Sequence, residues 1–141
     1  MNSYVIEDIY IGMKEEFSVT ITEDMQAFFW KITKDENPLH LDSYYAKKKG
    51  FSERIVYGMC TASFYSTLVG VYLPGEYCLF RECSVQFTKP VYINDTLRVI
   101  GKVIEIDKRF NCITIKALII NQNNDKVSRA KLIVGLLDGE R

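Results

Sequence analysis

Ile55-Val56-Tyr57-Gly58-Met59-Cys60-Thr61-Ala62-Ser63-Phe64-Tyr65-Ser66-Thr67-Leu68-Val69-Gly70-Val71-Tyr72 is the longest apolar stretch of the chain. Hydroxyl side chains are its main polar interruption, and no charge falls between Arg54 and Glu76. A helix that is apolar nearly all round needs cover on most sides. Gly58 stands where that helix should begin, and Leu73-Pro74-Gly75 ends it. The cover comes from downstream. Residues Leu79 to Thr88, Thr96 to Ile106, Phe110 to Asn121 and Val127 to Leu137 are rich in Val, Ile, Leu and Phe. Short turn clusters separate them: Lys89-Pro90, Asn94-Asp95, Asp107-Lys108-Arg109 and Gln122 to Lys126. Long strands with short connections are antiparallel neighbours.

Upstream, Phe17, Val19 and Ile21 alternate on one face of a further short strand near Glu16 to Ile21. Thr22 is a good N-cap, with Glu23 and Asp24 in the first helical turn, where the dipole favours acids. Met25, Phe28, Phe29 and Ile32 then form a helical stripe, expected to pack in the core and to end near Thr33. Asp42 or Ser43 caps a shorter helix through Tyr44, Tyr45 and Ala46, and Gly50 stops it. The fold class is therefore α+β: one long antiparallel sheet wrapped around a central buried helix. The well-known form of that arrangement is the hot-dog fold, here expected as a single domain over residues 1–141. Such domains usually dimerise. Phe87, Val91, Tyr92 and Ile93 suit either an interface or the core.

Composition sets outer bounds. A chain of 141 residues buries about 70% of its unfolded surface on folding. Apolar residues make up 48% and aromatics 13%, which is globular and not disordered. Eighteen basic and eighteen acidic residues cancel, whereas a phosphate-binding surface favours excess Lys and Arg. Nucleic acid is thus not expected as a partner. Cys60, Cys78, Cys83 and Cys112 lack Cys-x-x-Cys spacing, and there is only one histidine, so no metal site is expected. Buried thiols in a reducing compartment are. No leader is evident in the first ten residues, and no apolar run reaches the ~18 residues of a membrane span. Those readings predict a cytoplasmic protein with no membrane association.

The one histidine lies in Lys34-Asp35-Glu36-Asn37-Pro38-Leu39-His40. A proline sits between it and Asp35, and Asn37-Pro38 is a turn signal. The stretch reads as a stiff, irregular connector between helices. Histidine can take and give a proton near neutrality. A carboxylate and an imidazole on one fixed loop meet the needs of general acid–base chemistry. The bland alternative is a surface or satisfied core histidine beside an ordinary turn.

Asp35-Glu36-Asn37-Pro38-Leu39-His40, five more residues and then Ala46, resembles the signature of the MaoC-like or R-specific enoyl-CoA hydratases. Ile55-Val56-Tyr57-Gly58-Met59 with Ala62-Ser63 and Ser66 resembles that family's helix start. Leu73-Pro74-Gly75, Val85-x-Phe87-x-x-Pro90-Val91 and Asn94-Asp95-Thr96 are also similar, in the same order. The resemblance implies a lyase of fatty acid metabolism acting on acyl thioesters, a homodimer or a dimer of dimers. No cofactor is implied beyond the coenzyme A or acyl carrier protein that carries the substrate. Carried over by position, Asp35 and His40 are the acid–base pair of a reversible trans-2-enoyl-CoA hydration. Gly58 offers its backbone N–H to the thioester oxygen. Ser66 supports Asp35 by a hydrogen bond, and Ser63, one turn away, is its alternate. A helix N-terminus suits the enolate charge that forms next to a thioester. Asn37 is expected to shape its own turn.

Two residues depart from the family pattern. Tyr57 replaces a common histidine and is expected to pack or to touch the thioester arm, changing substrate fit. Lys34 replaces a small residue beside Asp35. The alternatives to a hydratase are an acyl-binding protein, a hot-dog thioesterase and a dehydratase of carrier-bound acyl groups. The absence of Asp or Glu from the buried helix argues against the thioesterase. Phe64, Tyr65, Leu68 and Tyr72 are bulky enough to shorten an acyl tunnel.

Overall fold

The computed structural model describes residues 1–138. The chain holds five strands, one before the helices and four in succession after them: β1 (Lys14–Thr20), β2 (Cys78–Phe87), β3 (Thr96–Asp107), β4 (Cys112–Ile120) and β5 (Lys126–Leu136). They form one antiparallel sheet in the order β1-β3-β4-β5-β2. Between β1 and β2 come α1 (Glu23–Thr33), α2 (Pro38–Leu41), α3 (Ser43–Lys48) and α4 (Gly58–Thr67), and a wider π-helical turn carries α4 on through Leu68–Tyr72.

The expected hot-dog arrangement is the one adopted. Leu97, Val99 and Val103 of β3, Ile113, Ile115 and Ile119 of β4, and Leu132 and Val134 of β5 are all essentially fully buried. Tyr65 and Leu68 are buried among them. Contact is closest at Gly101, where an added Cβ would lie 2.8 Å from Leu68 Cδ2. That glycine lets the helical segment settle onto the sheet. Tyr65, whose hydroxyl meets Ser128 Oγ at 2.9 Å, and Leu68 thus serve the core. Tyr72 stacks on Phe17 with 5.0 Å between ring centroids.

Two expectations change. The apolar stripe of α1 is only half used: Met25 and Phe29 pack inward, but Phe28 and Ile32 are 60% and 79% exposed. The helix is rotated so that Gln26, 2% exposed, faces inward instead. Second, the connector is partly helical. Asn37 Oδ1 accepts from Leu39 N–H at 2.9 Å, and Pro38 follows at the position where its fixed φ and missing N–H suit a helix start. Ile6, Ile9 and Met13 also join the core, Ile6 from a short 3-10 turn over Ile6–Asp8. Of the four residues weighed for an interface, Val91 is buried, Ile93 packs partly against the core and Phe87 is half exposed. All four cysteines are free; Cys60 is buried and Cys83 is exposed. Among the described residues no helix is long and apolar enough to cross a membrane, and no His, Cys, Asp and Glu cluster suits a metal ion.

Candidate active site

Local sequence starts and stops each piece of the site. Thr22 Oγ1 accepts from Met25 N–H at 3.2 Å and opens α1. Lys34, in the left-handed conformation at φ 57°, closes it. Its ammonium lies 4.7 Å from the Trp30 ring centroid, not against Asp35. The chain then turns through Asp35, whose Oδ1 accepts from Asn37 N–H at 3.1 Å. After α2, Asp42 Oδ1 accepts from Tyr45 N–H at 3.0 Å and caps α3.

His40 is held by ring and main chain together. Its Nδ1 lies 2.9 Å from the Ile55 carbonyl oxygen. A carbonyl only accepts, so Nδ1 carries the hydrogen, and among the described residues no hydrogen bond is made by Nε2. The ring lies against Tyr57, 4.2 Å between centroids. Ile55 N–H returns a bond to Leu39 O at 3.1 Å, so the two segments are zipped side by side.

His40 and Gly58 line one cavity of ≈ 350 Å³, together with Thr61, Phe87, Val91 and Val127. Gly58 is the first residue of α4. Its N–H has no acceptor inside the helix, and no loop carbonyl or side chain takes it up among the described residues. It is a free donor at the positive end of a helix dipole, across a largely apolar cavity from an imidazole. Phe87 limits that space, with ring carbons 3.4 Å from where a Cβ on Gly58 would stand.

The remaining expected residues are placed differently. Asp35 is exposed within one chain and does not line the cavity. Ser66 is exposed, and no hydrogen bond joins it to Asp35 among the described residues. Ser63 Oγ donates to Cys60 O at 2.6 Å, satisfying its own helix. Tyr57, expected to pack or to touch the thioester arm, packs: it is 1% exposed beneath the loop. It is wedged between Phe29, at 5.2 Å between ring centroids, and His40. Its hydroxyl donates to the Asp35 carbonyl at 2.6 Å. Burial first, and the nearby Asp35 charge second, push its phenol above the ordinary value, so it remains a donor at neutral pH. Tyr57 is therefore a strut between both ends of the loop.

Sequence reasoning missed Gln26 and Arg54. Gln26 bonds three main-chain groups around His40 and Tyr57. Arg54 pairs with Glu23 and reaches His40 O at 3.5 Å. The available signal was a lone amide between Met25 and Phe29, but its direction depends on the helix's rotation.

Fold and site together describe a hot-dog domain in which an imidazole and a helix tip line one cavity. The description of the MaoC like domain family matches residues 9–124, and the chain belongs to that family. A 3-hydroxybutyryl-CoA dehydratase of Methylorubrum extorquens is 33% identical over 71% of this chain and 64% of its own length. An (R)-specific enoyl-CoA hydratase of Rhodospirillum rubrum is 35% identical over 67% of this chain and 65% of its own. The chain thus spans just under two thirds of these curated relatives. The solved structure of an (R)-hydratase from A. caviae involved in PHA biosynthesis superposes with a TM-score of 0.88 at 28% identity, over 93% of this chain and 99% of that one.

Proposed function

We propose that this protein is a hydro-lyase of acyl thioesters, adding water across the C2–C3 double bond of a trans-2-enoyl chain, or removing it in reverse. The observation that carries the reading is one cavity lined by both His40, with Nε2 free, and Gly58. In the addition, His40 Nε2 takes a proton from water as the water oxygen bonds to C3. The C2–C3 electron pair moves toward the thioester oxygen, where Gly58 N–H meets the developing charge. The imidazolium returns its proton to C2, so H and OH are added in balance. Asp35 is assigned to hold the water, and the relatives support the (R)-3-hydroxyacyl product.

The largely apolar cavity suits a short acyl chain carried by coenzyme A or an acyl carrier protein. Asp35 is exposed within one chain, and so are Phe28 and Ile32 on the helix that precedes it. A homodimer is therefore proposed, with a second copy closing the Asp35 side. Ser66 is assigned to support the Asp35 carboxylate in that closed site.

Crotonyl-CoA provides the test. Loss of enoyl absorbance with formation of the R-3-hydroxy product is expected. Thiol release without hydration points to a thioesterase, and binding with neither reaction points to an acyl carrier or sensor.

A further inference from the structure

We infer that Gln26 is a positioning residue for the acid–base centre, its amide tying the His40 main chain to the segment that delivers Gly58. This rests on the hydratase reading above. Gln26 Nε2 donates to His40 O at 3.3 Å and to Ile55 O at 3.2 Å, and its Oε1 accepts from Tyr57 N–H at 3.3 Å. Each partner belongs to the site. One is the main chain of the proposed base, one is the carbonyl that orients the base's ring, and one is the residue before Gly58.

Packing alone gives no reason for an amide at this buried position of α1. A buried amide is unfavourable unless bonded, and an apolar residue here would leave two carbonyls and an N–H with fewer partners. Ile55 O is shared by Gln26 and the His40 ring, so a shift in one is felt by the other. Without Gln26, His40 O keeps only the longer Arg54 contact of 3.5 Å. The loop then loosens relative to the tip of α4, and reaction rate is sensitive to displacements on the ångström scale.

Gln26→Met keeps the length and removes the hydrogen bonds. In crotonyl-CoA hydration, kcat is expected to fall roughly 10- to 100-fold. KM should change less than about threefold, because the interaction lost acts on geometry and not on substrate binding. His40 is the chain's one histidine, so nitrogen NMR reads its ring without assignment. The wild-type ring should show the Nδ1–H tautomer, and Gln26→Met a mixture. Gln26→Glu keeps the acceptor for Tyr57 but sets a carboxylate against two carbonyls, so its kcat should fall at least as far.

A folded Gln26→Met protein with wild-type kcat and an unchanged ring spectrum overturns the inference, leaving Gln26 as packing. Failure of both variants to fold also overturns it, since Gln26 would then belong to the fold. If the wild type does not hydrate crotonyl-CoA, the hydratase reading fails separately. The ring spectrum still decides: a changed tautomer supports positioning by Gln26, and an unchanged one removes it.

Discussion

The two ends of the acid–base loop are built differently. His40 is half buried, with its ring fixed by Ile55 O and Tyr57 and its main chain bonded by Gln26. Asp35, five positions earlier, is exposed; its main chain is fixed by Tyr57 and Thr33, but among the described residues its side chain is hydrogen-bonded only by Asn37 N–H. The imidazole is thus preorganised by its own chain. The carboxylate has a fixed backbone and an open side. The lesson is that the imidazole's setting is a property of the single folded chain, whereas the proposed role of the Asp35 carboxylate depends on the second copy proposed to cover it.

Removing either group should have the largest effect. His40→Ala and Asp35→Asn are each expected to lower the crotonyl-CoA hydration rate by roughly two to four orders of magnitude with folding intact. Circular dichroism and steady-state kinetics together check this. A wild-type-like rate in either variant removes that residue from the chemistry and breaks the pairing of the two ends.

Tyr57→Phe sharpens the comparison, because it keeps the ring under His40 and removes the bond to Asp35 O. The loss of one hydrogen bond of about 1 kcal/mol predicts a several-fold drop in kcat. The ring NMR signals of His40 should barely move. Equal disturbance of His40 would show that the two ends are not separable.

Asn37→Ala removes the cap of α2 between the ends. An N-cap loss of about 1 kcal/mol should appear as a lower midpoint in urea unfolding. Activity should fall less than in Tyr57→Phe.

Ile32→Glu addresses the open side. On the exposed face of α1 it should change the stability of one chain by less than about 0.5 kcal/mol. Sedimentation should nevertheless move toward a 16.3 kDa particle if a second copy covers this face. An unchanged particle size places that contact elsewhere.

Much of this was legible because the relevant signals are local. The strands appear as runs of β-branched and aromatic residues between turn clusters. Thr22, Asp42 and Gly50 mark helix ends with their own side chains or backbone freedom. The helical turn at Pro38 was misread because proline looked only like a breaker, although at the first helical position it starts a turn. The stripe of α1 was misread because residues 25, 28, 29 and 32 match helical spacing as well as 25, 26, 29 and 30 do. Periodicity fixes that a face exists. The neighbours fix which one is covered.

Sequence alone determined the α+β class, the buried α4 and the residues from which an acid–base site can be made, because hydrophobic spacing and side-chain chemistry are written residue by residue. Only the tertiary structure decided that Nε2 is the free nitrogen of His40, that Tyr57 is a strut and that Gln26 faces inward. Those properties belong to hydrogen bonds between segments far apart in the chain, whose directions exist only once the sheet has closed around the helix.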